Sequence, residues 1–319
     1  MDENNELVRI ISGDTDSLYM SYAGLLNTIE GIENMSQREK LDIIVKINEE
    51  FLNQHNTEFM EKYYGDRHVK SAHLFELETV CKKGLCLNAK KRYCQILLWK
   101  DGKYFDLDSL PMKIKGLEMI KSSYPKFDRE ALKRVVRNIL ETDADDHLWE
   151  YINMLVQQEK TKHNQADLED ICASTGTNGY TKYISDTPGP GKDFQILDAC
   201  NKAIIYTQPK CPVNVRALAT YNTIREAYKL SGDPIYGGKV KTYIFKPPIK
   251  KKKDKNPYVF AFQSKNYPKW ADTYAPIDKN AMFQKYFLDP LNRICSASMG
   301  LPPFTIDGSK QMSLFDEWF

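Results

Sequence analysis

Two carboxylates spaced two residues apart are the clearest candidates for chemistry in this sequence. Asp14 and Asp16 lie in the stretch SGDTDSLYMSY, beside Gly13 and directly before an apolar, tyrosine-containing run. In an extended chain, residues i and i+2 point to the same side, so a hairpin tip could present both acids to one hard cation. A D-x-D pair is also common in turns and exposed loops. These residues alone therefore leave a metal site and a plain turn both open.

The flanking pattern predicts the elements that would position the two acids. Apolar residues 7–11, a Gly13-Asp14 turn signal and apolar residues 18–22 predict a β-hairpin. Residues 36–64 predict a long helix, because Ser36 and Glu39 have the spacing of a capping box and apolar residues follow on one face. Strands are predicted at 69–80, 85–99, 103–106 and 112–118, with turns at Lys83-Gly84 and Asp101-Gly102.

The second part of the chain has a more helical pattern. We predict helices over residues 125–141, 145–158, 214–230 and 279–299, and strands over 239–245 and 258–263. The predicted boundary lies near residue 119. The fold class expected is α+β: a β-rich first part with one covering helix, then a mainly helical part with a small β portion.

Composition limits the class of protein. The chain has 319 residues, 42% of them hydrophobic and 28% charged, which is ordinary for a globular protein. No apolar run is long enough to span a bilayer and the N-terminus is unlike a secretory leader, so we expect a cytoplasmic protein with no membrane partner. The seven cysteines contain no C-x-x-C pair, which favours free thiols.

Charge is unevenly distributed along the chain. Residues 1–118 carry 16 Lys and Arg against 20 Asp and Glu, whereas residues 119–319 carry 29 against 23. The basic second part favours a polyanionic partner, and the acidic first part favours cations.

Two motifs, in the same order as in a known family, change how the acids are interpreted. S-G-D-T-D-S-L-Y resembles motif C of family B DNA polymerases, usually written Y-G-D-T-D-S. Lys90-Lys91-Arg92-Tyr93, roughly 75 residues further on, resembles the K-K-R-Y element of the same polymerases. The segments 112–126, 210–222 and 313–319 resemble thumb and tail segments of T-even-type bacteriophage replicative polymerases, so the resemblance covers essentially the whole chain.

The stretch Asp14–Ser21 also fits motif A of this family, D-x-x-S-L-Y-P-S. Motif A should be followed by a fingers helix with K-x-x-x-N-S-x-Y-G and by a second D-T-D, and neither occurs in the sequence. Met20 also replaces the motif A proline. Motif C is therefore the better assignment, although Ser12 stands where motif C usually has tyrosine.

The resemblance implies a DNA-directed DNA polymerase, a nucleotidyltransferase that joins a dNTP to a primer 3′-hydroxyl by two-metal-ion catalysis. It implies a palm remainder over 1–118, a duplex-binding thumb over 119–312 and a clamp-binding tail over 313–319. Asp16 and Asp14 would be the catalytic, Mg²⁺-binding acids. Because the exonuclease, motif A and fingers precede motif C in such polymerases, we expect the C-terminal subunit of a split polymerase, active only with an N-terminal partner chain and sharing two Mg²⁺ ions with it.

The resemblance also implies residues that contact primer-template DNA. Lys90, Lys91, Arg92 and Tyr93 fall within a predicted strand, so alternation should send them to two faces; a solvated strand edge is the structural alternative. Further candidates lie in the second part: Lys121, Ser122, Ser123, Lys126, Lys210 and Arg216. Ser122 and Ser123 could instead cap a helix, and Asn214 could do the same for the next one.

Two more segments have an interpretation and an alternative. The run Lys250–Lys253 could contact phosphates or be a solvated loop. In the tail, Leu314, Phe315, Trp318 and Phe319 could enter a sliding-clamp groove or pack on their own domain. The competing function for the whole chain is a non-catalytic module that binds DNA and docks on a sliding clamp. Intact Asp14 and Asp16 favour the enzyme.

Overall fold

The structure is a computed structural model that describes residues 8–13, 17–64, 75–142, 146–185, 194–207, 210–246 and 258–310. The chain divides into two compact units between Leu117 and Glu118. Both units mix helices with antiparallel sheets, which is compatible with the α+β class expected. No helix within the described ranges is long and apolar enough to cross a membrane.

The first unit begins with the predicted β-hairpin, which is confirmed. Strand β1 (Arg9–Gly13) pairs with β2 (Leu18–Ser21) in antiparallel register, with Gly13 opposite Leu18. A bulge between Ile10 and Ser12 shifts the register, and a short helix α1 (Ala23–Leu26) follows.

The predicted long helix is present but is interrupted by a π-helical segment. It consists of α2 (Gln37–Lys46), a π segment (Ile47–Leu52) and α3 (Asn53–Tyr64). The predicted capping box is confirmed: the Ser36 backbone N–H donates to Glu39 Oε2 at 2.7 Å, and the Glu39 N–H donates to Ser36 Oγ at 3.3 Å. Local chemistry therefore sets where this helix begins.

A four-stranded antiparallel sheet forms the rest of the first unit, and its central strand is buried over almost its whole length. It comprises β3 (Thr79–Cys86), β4 (Tyr93–Lys100), β5 (Lys103–Tyr104) and β6 (Met112–Lys115), with β4 pairing all three others. The Asp101-Gly102 turn is confirmed, with φ of 45° and 80°, as a two-residue hairpin with two left-handed positions requires.

The predicted turn at Lys83-Gly84 is wrong. Strand β3 continues through both residues, and Gly84 pairs with Gln95 of β4. A Cβ at position 84 would lie 3.1 Å from Gln95 Cγ, so glycine serves here to make room for the side chain opposite. The chain instead turns over residues 87–92, where the Leu87 N–H donates to the Arg92 carbonyl at 3.0 Å.

The second unit contains eight α-helices and six strands in its described part. In chain order they are α4 (Lys126–Glu141), α5 (Leu148–Gln165), α6 (Leu168–Ile171), β7 (Ala173–Thr177), α7 (Tyr180–Tyr183), β8 (Ile184–Ser185), β9 (Phe194–Leu197), β10 (Ala203–Thr207), α8 (Val213–Ala227), β11 (Gly238–Ile244), β12 (Val259–Phe262), α9 (Ala271–Tyr274), α10 (Lys279–Phe283) and α11 (Asp289–Met299). A π segment, Gln284–Leu288, joins α10 to α11.

This unit contains more strand than the sequence pattern predicts. Strand β11 lies between β12 and the unpredicted β7, and a second three-stranded sheet has the order β8-β10-β9. Helix α8 is buried along most of its length and packs against β12 and β10. Strand β7 has the sequence ASTGT, which has no apolar alternation, so only its pairing with β11 makes it a strand.

A buried acid and histidine face each other in the helical part of the second unit. Asp128 Oδ1 of α4 lies 3.8 Å from His163 Nε2 of α5, and both side chains are fully buried. Burial raises the pKa of Asp128 to about 8 and lowers the pKa of His163 to about 4. Both groups are therefore neutral near pH 7.

Candidate functional site

The two candidate metal-binding acids connect the strands of the hairpin. Asp14 and Asp16 lie outside the described residues, whereas Gly13 and Ser17 on either side of them are described. Because Gly13 pairs with Leu18, the described strands fix where the chain enters and leaves the acidic segment.

The hairpin contacts the first residue of strand β4 through an aromatic pair. Tyr19 of β2 and Tyr93 of β4 have ring centroids 5.3 Å apart at an interplanar angle of 55°. Burial and a hydrogen bond with Tyr93 raise the pKa of Tyr19 far above its ordinary value. The structure thus connects the strand that follows Asp16 to the tyrosine that follows Arg92.

The hairpin is also tied to the covering helix. The Tyr22 hydroxyl donates to Asn48 Oδ1 at 2.9 Å, and the Asn48 amide donates to the Ile44 carbonyl at 2.7 Å. Asn48 lies in the π segment and is 6% exposed. The segment after the two acids is therefore held on one side by β4 and on the other by the helix.

The basic motif does not lie inside a strand, so the predicted alternation of its four residues between two faces is wrong. Lys90, Lys91 and Arg92 belong to the turn over residues 87–92, and only Tyr93 is in β4. Lys91 has a left-handed φ of 60°, which a strand residue does not adopt. The turn exposes Lys90 and Lys91 and buries Tyr93 at 7% exposure.

Gly116 fixes the close approach between this turn and the end of β6. A Cβ at Gly116 would lie 2.3 Å from the Lys91 carbonyl oxygen and 3.0 Å from Arg92 Cγ, and Gly116 has a φ of 68°. No side chain fits there without moving the turn. Sequence analysis did not identify this glycine.

Glu78 is a further acid near the hairpin that sequence analysis also missed. Its Oε1 accepts a hydrogen bond from Lys113 Nζ at 2.7 Å, and this bond lowers the pKa of Glu78 despite partial burial. The charge of Glu78 contributes to the raised pKa of Tyr19, so the two side chains are neighbours. The sequence signal was weak, because Glu78 lies within FELE and outside any motif we recognised.

In the second unit, the predicted residues around 121–126 form part of a charged surface. Lys121 Nζ lies 3.1 Å from Glu118 Oε1, and Arg293 of α11 lies 3.7 Å from the same oxygen. Ser122 and Ser123 are exposed. They do not cap α4, since its N-cap residue is Pro125, so the capping alternative is wrong for both. Lys126 instead pairs with Asp170 at 3.4 Å.

Arg216 and Lys210 occupy different environments. Arg216 lies in α8 and is 5% exposed, and burial lowers the pKa of its guanidinium. Lys210 is exposed, with a φ of 65°. The capping alternative for Asn214 is wrong as well, because Pro212 is the N-cap residue of α8 and Asn214 donates to the Gly176 carbonyl at 2.6 Å.

Lys285 is the basic residue that sequence analysis missed in this unit. It lies in the π segment, and burial together with the positive charge of Arg216 lowers its pKa. The next residue, Tyr286, packs edge-on against Tyr124 with centroids 5.3 Å apart. Several cations therefore lie close together on segments 118–124 and 284–286 and on helix α8. A surface of this composition suits a polyanionic partner.

No protein-family model matches the chain. A comparison with curated proteins finds 26% identity over 311 residues with a DNA-directed DNA polymerase of Enterobacteria phage T4. The chain is distantly similar to a DNA polymerase. The similarity covers 91% of this chain and 30% of the relative, so the chain spans less than a third of the length of the protein it matches.

Several predicted site residues lie outside the described ranges of the chain. The Lys250–Lys253 run and the tail residues Leu314, Phe315, Trp318 and Phe319 lie outside the described ranges. Within those ranges, no group of three or more His, Cys, Asp or Glu side chains is placed to hold a metal ion. Asp14 and Asp16 lie outside those ranges, so their role as metal ligands stays a prediction.

Proposed function

We propose that this chain supplies the motif C and thumb portion of a family B-type DNA polymerase, which adds dNTPs to a primer 3′-hydroxyl under the direction of a template. The contact between Tyr19 and Tyr93 carries the proposal, because it joins the hairpin of Asp14 and Asp16 to the basic turn. The similarity to the phage T4 polymerase supports the same reaction class. On this proposal residues 1–118 belong to the palm and residues 119–312 to the thumb.

The donor chemistry of the hairpin fits Mg²⁺, which prefers hard oxygen ligands. Asp16 would be the principal ligand and Asp14 the second acid, acting directly or through water. Two bound Mg²⁺ ions would offset the negative charge that develops on the attacking and leaving oxygens of phosphoryl transfer. The ionised Glu78 adds negative potential that acts on Tyr19 of the hairpin.

The basic turn would contact the primer-template duplex. Lys90 and Lys91 are exposed at the turn and can reach phosphates, while Arg92 can reach minor-groove acceptors. The buried Tyr93 would steady the primer terminus, with its ring held by Tyr19. In this way the same contact would set the distance between the metal-binding acids and the end of the primer.

The second unit would hold the duplex through contacts with its backbone. Lys121, Ser122, Ser123, Lys126 and Lys210 are exposed and can contact the DNA backbone. Arg216 is buried, so its guanidinium would have to become exposed before it could contact a phosphate. Without moving, Arg216 already raises the local positive potential beside Lys285. The tail residues Leu314, Phe315, Trp318 and Phe319 would bind a sliding clamp.

The reaction needs groups that this sequence does not contain. The motif A carboxylate that bridges both metals and the fingers residues that hold the triphosphate have no counterpart here. We propose that a second polypeptide supplies them together with the exonuclease, and that the isolated chain does not polymerise. One carboxylate pair cannot enforce the geometry of two metals.

Primer extension tests this proposal. The chain is purified from its native source with and without the polypeptide that co-purifies with it, and each preparation receives primer-template DNA, dNTPs and Mg²⁺. We expect extension only when both polypeptides are present. Extension by the isolated chain would refute the requirement for a partner, and no extension by the assembled complex would refute the polymerase assignment.

A further inference from the structure

A row of aromatic side chains lies exposed along the covering helix. Phe51, His55, Phe59 and Tyr63, which we call the aromatic row, follow one another at intervals of four residues. Ring centroids are 6.1 Å apart for Phe51 and His55, and 4.6 Å apart for Phe59 and Tyr63. Residues i and i+4 share one helical face, so the row extends for about 18 Å at a rise of ~1.5 Å per residue.

The side chains of the aromatic row are mostly exposed. Phe51 is 60% exposed, Phe59 53% and Tyr63 60%, and α3 contains no buried residue. Phe75, at 49% exposure, is held beside this helix because Asn53 exchanges two hydrogen bonds with its backbone, at 2.8 and 2.7 Å. Contiguous apolar surface of this kind marks an interaction site.

Exposed apolar surface is also concentrated in the first unit, which carries the hairpin of Asp14 and Asp16. Of the 14 large hydrophobic side chains that are exposed in the described part of the chain, ten belong to the first unit and four to the larger second unit. The first unit therefore presents apolar surface in excess, whereas the second buries most of its own.

The charges beside the aromatic row are mostly negative. Residues 47–64 contain Glu49, Glu50, Glu58 and Glu61 but only one lysine or arginine, Lys62. All four carboxylates lie at or near the surface. An anionic surface with aromatic side chains complements a partner that presents apolar and basic side chains. It repels nucleic-acid phosphates and a second copy of itself.

We propose that the aromatic row is the docking surface for a polypeptide with apolar and basic side chains, namely the one that completes the polymerase. This inference rests on the proposed function. On that proposal the motif A carboxylate and the fingers residues come from a second polypeptide, which therefore has to dock on this chain. Docking at the row would place the attachment on the helix that holds Tyr22 of the hairpin through Asn48. The partner would thereby brace the segment that carries Asp14 and Asp16.

The test uses the full chain and the polypeptide that restores primer extension to it. Extension is measured while the chain is titrated against a fixed amount of that polypeptide. Phe59→Glu combined with Tyr63→Glu should raise the half-saturating concentration at least tenfold while the rate at saturation is retained. Glu58→Lys combined with Glu61→Lys should raise it severalfold. Tyr236→Glu is the matched control, because Tyr236 is also 60% exposed but lies in the second unit; it should titrate like the wild type.

The outcomes separate the inference from the function on which it rests. If the wild-type complex extends primers and the row variants titrate like the wild type, the docking surface is wrong and the polymerase assignment stands. If no polypeptide restores primer extension, the proposed function is wrong. The polypeptide proposed to dock on the aromatic row is then wrong as well. If the wild type self-associates in sedimentation and the row variants do not, the row binds a second copy of the chain and the proposal is overturned. If the row variants lose binding of oligo(dT), the row binds single-stranded DNA and the proposal is likewise overturned. Unchanged circular dichroism and an unchanged unfolding midpoint exclude misfolding.

Discussion

Tyr19 and Tyr93 lie with ring centroids 5.3 Å apart and join two segments that are distant in the sequence. One follows the acidic pair of the hairpin, and the other ends the basic turn. Because the Tyr19 side chain hydrogen-bonds Tyr93 and is tied through its strand to Tyr22 and Asn48, a change at either tyrosine should be felt at the other. The aromatic pair is therefore the structural link between the candidate metal site and the candidate primer contact.

Removing the hydroxyls of the aromatic pair should reveal their coupling. Tyr19→Phe and Tyr93→Phe each keep the ring and break the same hydrogen bond. The double-mutant cycle should give a coupling free energy of about 0.5–1.5 kcal/mol in urea unfolding. The exposed Tyr63→Phe should change the free energy of unfolding by less than ~0.5 kcal/mol. Strict additivity of Tyr19→Phe and Tyr93→Phe would show that the hydroxyls do not interact.

Gly116→Ala should displace the basic turn. The new Cβ would meet the Lys91 carbonyl oxygen at 2.3 Å in addition to the strain of a left-handed backbone. Gly102→Ala is the control, since Gly102 has a φ of 80° but no atom within 4 Å of its Cβ position. Gly102→Ala should cost about 1 kcal/mol in unfolding free energy from backbone strain alone. Gly116→Ala should cost about 2 kcal/mol more and weaken binding of a primer-template duplex. Equal losses of unfolding free energy for Gly116→Ala and Gly102→Ala would mean that the turn moves away from the new Cβ without destabilising the chain.

Lys285→Gln should have opposite effects on stability and on DNA binding. Removing a half-buried cation beside Arg216 relieves repulsion, so the free energy of unfolding should rise. If Lys285 contacts a phosphate, the slope of log K against log salt should fall by about 0.9 for a primer-template duplex followed by fluorescence anisotropy. Lys103→Gln, an exposed lysine of the β5 hairpin, should leave stability and slope unchanged. An unchanged slope for Lys285→Gln would remove Lys285 from the DNA interface.

The buried pair of Asp128 and His163 should make stability fall above neutral pH. In the folded chain the pKa of Asp128 is raised to about 8 and that of His163 lowered to about 4. Between about pH 4 and 6.5 the two groups change the free energy of unfolding in opposite directions: rising pH lowers it through Asp128 and raises it through His163. From about pH 6.5 to 8 only Asp128 differs: the folded state keeps a proton that the unfolded state has lost. Stability should therefore fall by up to ~1.4 kcal/mol per pH unit.

Asp128→Asn should abolish this decline, because asparagine does not titrate. The measurement is urea unfolding at pH 6.5 and pH 8 for the wild type, for Asp128→Asn and for the exposed Asp146→Asn, which should follow the wild type. A wild-type stability that stays level or rises over this interval would mean that Asp128 is ionised in the folded chain.

Local chemistry was enough to predict several elements. The hairpin, the capping box of Ser36 and Glu39, and the Asp101-Gly102 turn all depend on residues within a few positions of one another. The main helices follow from apolar periodicity in the same way. These features need no tertiary contact to be specified.

The errors arise where a distant contact decides the local structure. Gly84 resembles a turn residue, but its role is to accommodate Gln95 on the neighbouring strand. The turn at residues 87–92 contains no glycine, and Lys91 adopts its left-handed conformation beside Gly116, which is far along the chain. Sequence periodicity does not specify how strands and helices pack. It therefore could not predict the contact of Tyr19 with Tyr93 or the proximity of Lys285 to Arg216.

Primer extension by the assembled complex carrying Asp16→Asn tests the central claim most directly. If Asp16 is the principal metal ligand, its loss should remove several kcal/mol of transition-state stabilisation and lower the rate by about a hundredfold or more, while duplex binding by the chain is retained. Asparagine has nearly the same size as aspartate, so the assembly should survive. Nucleotide incorporation at the wild-type rate would contradict the catalytic role of this chain and favour a module that only binds DNA.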